Sequence, residues 1–210
     1  MIMRSKLLLT FVSAAVLFSA CSEAPKKAVE KAPELPPEPV SGSTAFFRMY
    51  TAARGWAGDL QPLQMTSIFL PEVKKVPGKA AAWRVMFVSP QRQRARPYTY
   101  SVIESAGNLH KDIFAGNEEG WSGPRGPAKP FMIQALKVDS DAAYETALKK
   151  GKKAAEYAKL NPDKNVMFLL EHNTKYPDLT WRVIWGDSVG TSNFSVFVDA
   201  TTGEYLETMR

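Results

Sequence analysis

The pattern that most constrains this chain lies near its C-terminus. Thr180-Trp181-Arg182-Val183-Ile184-Trp185 and Ser195-Val196-Phe197-Val198 are rich in β-branched and aromatic residues, and both runs are short. Such runs fit half-buried strands rather than helices. Asp199-Ala200-Thr201-Thr202-Gly203-Glu204 then supplies a tight turn, and Tyr205 to Thr208 a third short strand, so the segment reads as a β-meander. A cruder copy lies near the middle of the chain: Trp83-Arg84-Val85-Met86-Phe87, Tyr100-Ser101-Val102-Ile103, and a turn at Gly107-Asn108.

Helical periodicity precedes each meander. Ser43 or Thr44 can cap a helix running to about Ala57, with Phe46, Tyr50, Ala53 and Ala57 on one face, ended by Gly58 and Pro62. Asp139 or Ser140 can cap a second helix to about Leu160, stopped by Asn161-Pro162, with Tyr144, Ala147, Leu148, Gly151, Ala155 and Ala158 on its apolar side. Residues 64–70 and 165–171 read as the first strands after these helices. Three landmarks recur in order: Leu60-Gln61-Pro62 with Leu160-Asn161-Pro162, Phe69-Leu70 with Phe168-Leu169, and Trp83-Arg84-Val85 with Trp181-Arg182-Val183, at offsets of 100, 99 and 98 residues. The expectation is an α+β fold of two tandem units, each a helix packed on an antiparallel β-meander of about four strands. Unit 1 spans 42–115 and unit 2 spans 131–210, joined by a Gly/Pro-rich linker at 116–130.

The N-terminal region has a different character. Met1 to Lys6 is short and cationic, and Leu7 to Ala20 is a 14-residue run without charge. That run is too short to cross a bilayer as a helix and suits a signal peptide, 1–20. Phe18-Ser19-Ala20-Cys21 resembles the bacterial lipobox, with Phe18 where Leu is usual. The resemblance implies that Cys21 is acylated and becomes the N-terminus. Two acyl chains, at roughly 0.8 kcal/mol per buried CH₂, hold a protein stably on a membrane. Ser22 rather than Asp after the cysteine favours, by the sorting pattern of some Gram-negative lipoproteins, the outer membrane. Residues 21–41 carry Pro25, Pro33, Pro36, Pro37 and Pro39 and read as a semi-extended tether. Cys21 is the sole cysteine, so no intrachain disulfide can form.

The order of helix, strand, Trp-x-Val strand, aromatic strand and Asp199-Ala200-Thr201-Thr202-Gly203-Glu204 before a final strand resembles the PepSY domain, best over residues 139–208. Over residues 43–114 the turn is replaced by Glu104-Ser105-Ala106-Gly107. PepSY modules occur in metallopeptidase propeptides and in bacterial envelope proteins. The resemblance therefore implies binding or inhibition of a protein partner, a peptidase among the candidates, and supplies no catalytic residues. An assembly or maintenance factor of the outer membrane is the alternative.

Signals of chemistry are sparse. His110 and His172 have no second ligand at metal spacing, so neither a metal nor a cofactor is expected. Asp199 heads a glycine turn, where a short acceptor bonds backbone N–H groups, and is not read as a catalytic acid. Removing Arg4 and Lys6 with the leader lowers the formal charge of +6 to +4, and no nucleic-acid motif accompanies it. The candidate partner contacts are Trp121 and Arg125 in the linker, and Arg92, Arg94 and Arg96, which alternate in a loop.

Overall fold

The computed structural model describes residues 36–107 and 109–210. The leader, Cys21, most of the tether and Asn108 lie outside these residues. In chain order the strands are β1 (Val40–Ser41), β2 (Gln61–Ile68), β3 (Lys79–Ala80), β4 (Ala82–Ser89), β5 (Arg94–Ser101), β6 (Asp112–Ala115), β7 (Glu119–Gly120), β8 (Ala128–Lys129), β9 (Val166–Asn173), β10 (Thr180–Trp185), β11 (Ser195–Asp199) and β12 (Tyr205–Met209). The helices are α1 (Gly42–Ala53), α2 (Ser140–Lys150) and α3 (Ala154–Leu160), with a 3₁₀ turn at Ile133–Ala135. The fold is α+β.

Eight strands run side by side in the order β12-β11-β10-β9-β2-β4-β5-β6, every neighbouring pair antiparallel; β7 adds to β5 and β8 to β9. A separate two-stranded ribbon joins β1 to β3. Two sheets standing apart are therefore not observed. The first strand after each helix, β2 and β9, pairs with the other through Gln64, Met65 and Thr66 opposite Glu171, Leu170 and Leu169. Two open meanders would each leave an unpaired edge beside an apolar flank, and joining them covers both. The stretch 116–130 is likewise held to the sheet, by β7 and β8.

One face of the sheet carries the helices: α1 lies on β4, β5 and β6, and α2 on β10, β11 and β12. Reading across the eight strands along one row of this face gives Tyr205, Val198, Trp181, Leu170, Met65, Val85, Tyr98 and Ala115. Trp83 and Trp181, both fully buried, meet with ring centroids 6.3 Å apart and share Phe168, at 6.0 and 6.4 Å. Burial of a large apolar side chain contributes about 1.5–3 kcal/mol, so this shared cluster ties the two halves into one core. Both indoles also reach backbone: Trp83 Nε1 donates to the Val40 carbonyl (3.1 Å) and Trp181 Nε1 to that of Val138 (2.8 Å).

The helix N-termini meet at the same place. Ser41 caps α1 and Asp139 caps α2, while Asp139 also accepts from Ser43 N at 2.8 Å and Ser140 Oγ from Gly42 N at 2.8 Å. Orphan N–H groups of one helix are thus satisfied by side chains of the other. The second helix was expected to run unbroken to Leu160, and it does not. It stops at Gly151 and restarts after Lys153, whose φ is 59°. Gly151 sits so close to β11 that an added Cβ would lie 2.9 Å from Val196 Cγ2. That Cβ would lie 2.4 Å from the Ala147 carbonyl as well, so the helix's own backbone and the sheet together crowd this position, and helical spacing alone cannot show that.

The landmarks do not all take equivalent places. Trp83 and Trp181 do, each facing the core. Phe168 is buried inside β9, whereas Phe69 lies past the end of β2 and is 44% exposed. The position matching Asp199 is Ser101: each ends the strand paired with the Trp strand, and each bonds the turn that follows.

Candidate partner-binding face

Because strand side chains alternate, the row one residue along the sheet faces away from the helices. It reads Phe114, Thr99, Arg84, Thr66, Leu169, Arg182, Phe197 and Glu207, from one edge strand to the other. Two arginines on β4 and β10 flank a centre made by the half-buried Thr66 of β2 and the buried Leu169 of β9, and Phe197 further along is buried too. Arg84 is exposed and has no ion-pair partner among the described residues. Arg182 is half-buried; its Nε donates to Ser195 Oγ at 3.1 Å and its guanidinium lies 5.2 Å over the Phe197 ring. Burial pulls the Arg182 pKa below its ordinary value, against the opposing pull of Glu171.

Phe197 is framed by cations and an aromatic ring. Lys175 Nζ lies 5.5 Å over it and the Tyr176 ring 5.2 Å away, while Glu207 holds both neighbours: Lys175 Nζ at 2.6 Å and Tyr176 Oη at 2.8 Å. The Lys175 hydrogen bond, then that of Tyr176, holds Glu207 below the usual carboxylate range. At the far end, Phe114 on β6 is 38% exposed and meets the His110 ring at a tilt, centroids 4.4 Å apart, and His110 Nδ1 is 2.7 Å from Glu104. Between Phe114 and Arg84, Thr99 Oγ1 is buried with no hydrogen-bond partner. At one end of this face Leu70, Val73, Ala82 and Leu109 form a small second core under the loops.

The contacts expected from sequence gather elsewhere, at the β4–β5 hairpin. Arg92 donates to the Trp56 carbonyl (2.6 Å), lies over the Trp56 ring (5.3 Å) and pairs with Glu118 (3.5 Å). Arg96 Nε donates to the Gly116 carbonyl at 2.8 Å and covers Tyr98. Arg94 is exposed, opposite Gly120 of β7, and Trp121 is half-buried with its N–H on the Gln93 carbonyl at 2.9 Å. The fold therefore brings Trp121 to this hairpin, where Arg94 and Arg96 lie on β5 rather than in a loop, with Arg92 and Arg96 already engaged within the chain. Arg125 is exposed and reaches only Ser122, at 3.5 Å. Asp59 fastens the hairpin, accepting from Ser89 Oγ (2.6 Å) and Gln91 N (2.8 Å), and those bonds lower its pKa.

Sequence reasoning passed over Arg84 and Arg182. Their signal was present as the charged residue at the alternating position of Trp-Arg-Val in both halves. Asp199 is held by its turn: Oδ1 accepts from Thr201 N (2.7 Å) and Thr202 N (2.8 Å), and Gly203 follows at φ 81°. His172 lies on β9 opposite Lys129 of β8. Among the described residues no cluster of three or more His, Cys, Asp or Glu could hold a metal ion, and no helix is long and apolar enough to cross a membrane.

The described residues thus define a class, an α+β protein whose single large antiparallel sheet has helices on one face and an arginine-bearing row on the other. No family model matches the chain, and no curated protein does. A solved structure of a candidate lipoprotein from Clostridium difficile 630 is similar at 10% identity and a TM-score of 0.44, over 78% of this chain and 91% of that one. A likeness of that degree carries no argument here.

Proposed function

We propose that this chain is a non-catalytic lipoprotein of the bacterial envelope that binds a protein partner on the helix-free face of its sheet. The anchor is Cys21, acylated after removal of 1–20, on the periplasmic side of the outer membrane, and 21–41 is the tether. The observation that carries the reading is the single cross-strand row in which Arg84 and Arg182 flank Thr66 and Leu169, with Phe197 and Phe114 beyond them. Arginine and aromatic residues are what protein interfaces concentrate at their centres. Arg84, without an ion-pair partner, suits a carboxylate on the incoming segment. A peptidase is one such partner.

The folded body is read as a fused tandem of two PepSY-like units. Supporting this are the Trp83 and Trp181 indole bonds, each to a carbonyl 43 residues earlier, and the capping of α1 N–H groups by Asp139 and Ser140 at the start of α2. The test places a photo-crosslinking benzoylphenylalanine at position 84, in the full chain in living cells. A discrete adduct whose partner peptide carries an acidic residue is expected. Absence of any adduct at 84, while exposed Ala142 on α2 does yield one, would remove the face from consideration.

A further inference from the structure

A cavity of about 260 Å³ opens beside the end of β2, next to the small core of Leu70 and Val73, between the loop 69–78 and the segment entering β9. Its walls are apolar, with Phe69, Val73, Val76, Val166 and Phe168 among them. Four lysines line it, Lys74, Lys75, Lys79 and Lys164, and no Asp or Glu does. Glu72 and Asp163 are nearby in sequence and exposed, but outside the lining.

The lysines are met by neutral groups only. Lys75 Nζ donates to the Asp163 backbone carbonyl at 3.1 Å and lies 5.1 Å over the Phe69 ring. Lys164 Nζ donates to Tyr157 Oη at 2.8 Å. Lys74 and Lys79 have no ion-pair partner among the described residues. Four cations around an apolar recess whose lining holds no acid create a local potential that attracts an anion. The recess rewards an apolar tail on that anion. Tyr144 adds a half-buried ring on the lining, and burial alone pushes its hydroxyl pKa up, with no hydrogen bond acting against it.

The loop is held in place before any ligand arrives. Gly78 has φ 74°, its carbonyl accepts from Ser140 Oγ at 2.6 Å, and a Cβ there would come within 2.3 Å of Asp141 Cα. Lys79 N closes a turn onto the Val76 carbonyl at 3.1 Å. Preorganisation of this kind removes an ordering cost from binding. The cavity holds the liquid volume of about nine waters, which suits part of one hydrocarbon chain and not a two-tailed lipid. Pro39, just before β1, is part of the lining.

We infer that this cavity binds a single-chain anionic amphiphile, a long-chain carboxylate, with its head among Lys74, Lys75, Lys79 and Lys164 and its tail against Phe69, Val76 and Phe168. The inference does not depend on the partner reading, because none of these residues lies on the arginine row.

The full chain carrying Cys21→Ser, which removes its own acyl chains, is titrated with dansylaminoundecanoic acid and with the neutral methyl ester of that probe. Saturable binding is expected, at least about tenfold tighter for the acid and weakened by salt. The combined Lys74→Glu, Lys75→Glu, Lys79→Glu variant should lose the preference for the acid. Val76→Trp, which fills the cavity and keeps the charge, should lose both ligands. Circular dichroism and melting establish that each variant is folded. Equal binding of acid and ester by the wild type, or full retention by folded Val76→Trp, would overturn the inference. Arg84→Glu should leave the titration unchanged; if it abolishes probe binding, the site is the sheet face and not the cavity.

Discussion

Two adjacent rows of the same eight strands have opposite compositions. The row under the helices, Tyr205 to Ala115, contains no charge. The row one residue along, Phe114 to Glu207, holds two arginines and a glutamate. Because the side-chain period is two, a one-residue slip would exchange these rows completely. The helix-side row fixes the register, since only it can be buried without stranding charge. The other row then inherits its position: Leu169, Phe197 and Thr99 on it are buried as well, and its exposed members are Arg84 and Phe114. Side chains placed by a rigid sheet but not needed for the core are those available for recognition.

The largest expected effect is on the buried row. Trp181→Ala removes a fully buried indole packed against Trp83 and Phe168 and frees the Val138 carbonyl. It should cost about 3–5 kcal/mol in denaturant unfolding. Arg84→Ala, on the facing row, should fall within about 0.5 kcal/mol of the wild type, as surface substitutions do. Comparable losses for the two would break the distinction between the faces.

Gly151→Ala probes the point where α2 is turned aside. The new Cβ would meet Ala147 O at 2.4 Å as well as Val196, and overpacking of this kind costs about 1–3 kcal/mol. A neutral result by the same unfolding measurement would mean that crowding at Gly151 is not what holds the break.

A smaller effect of opposite sign is expected on the outer row. Thr99 Oγ1 is buried without a partner, and Thr99→Val exchanges it for a methyl group. Release of an unsatisfied buried hydroxyl should raise stability by about 1 kcal/mol, seen as a higher denaturant midpoint at unchanged slope. A loss instead would show that the hydroxyl finds a bond.

The smallest effect belongs to the hairpin end, on neither row. Asp59 has a folded-state pKa below its ordinary 3.8, through its bonds to Ser89 and Gln91. Its contribution is present above that ordinary value and is lost as pH falls through the lower folded value. Stability measured between pH 5 and pH 2 should decline on acidification, and Asp59→Asn should flatten part of that decline. An unchanged slope in the variant would take Asp59 out of the hairpin's acid sensitivity.

What the sequence revealed and concealed follows the range of the forces involved. The strands around Trp83 and Trp181, the cap at Asp139 and the turn at Asp199 depend on near neighbours, and their residues announce them. The pairing of β2 with β9 joins residues about a hundred positions apart, and nothing local to Met65 or Leu170 specifies it. Gly151 lies beside Val196, 45 positions on, and Arg92 is engaged by Trp56, 36 positions earlier, and by Glu118, 26 positions later. Arg84 and Arg182 were visible as charges in apolar strands. Their alignment in one row needed the register of three strand pairs, β4–β2, β2–β9 and β9–β10.

The most direct test of a partner-binding face is an affinity comparison using the partner recovered by crosslinking at position 84. That partner is titrated by calorimetry against the wild type, against Arg84→Glu with Arg182→Glu, and against Ala142→Glu on the exposed side of α2. Loss of at least about 2 kcal/mol of binding free energy is expected for the arginine pair, with no change for Ala142→Glu. Equal affinity for all three would contradict the assignment of recognition to the helix-free face.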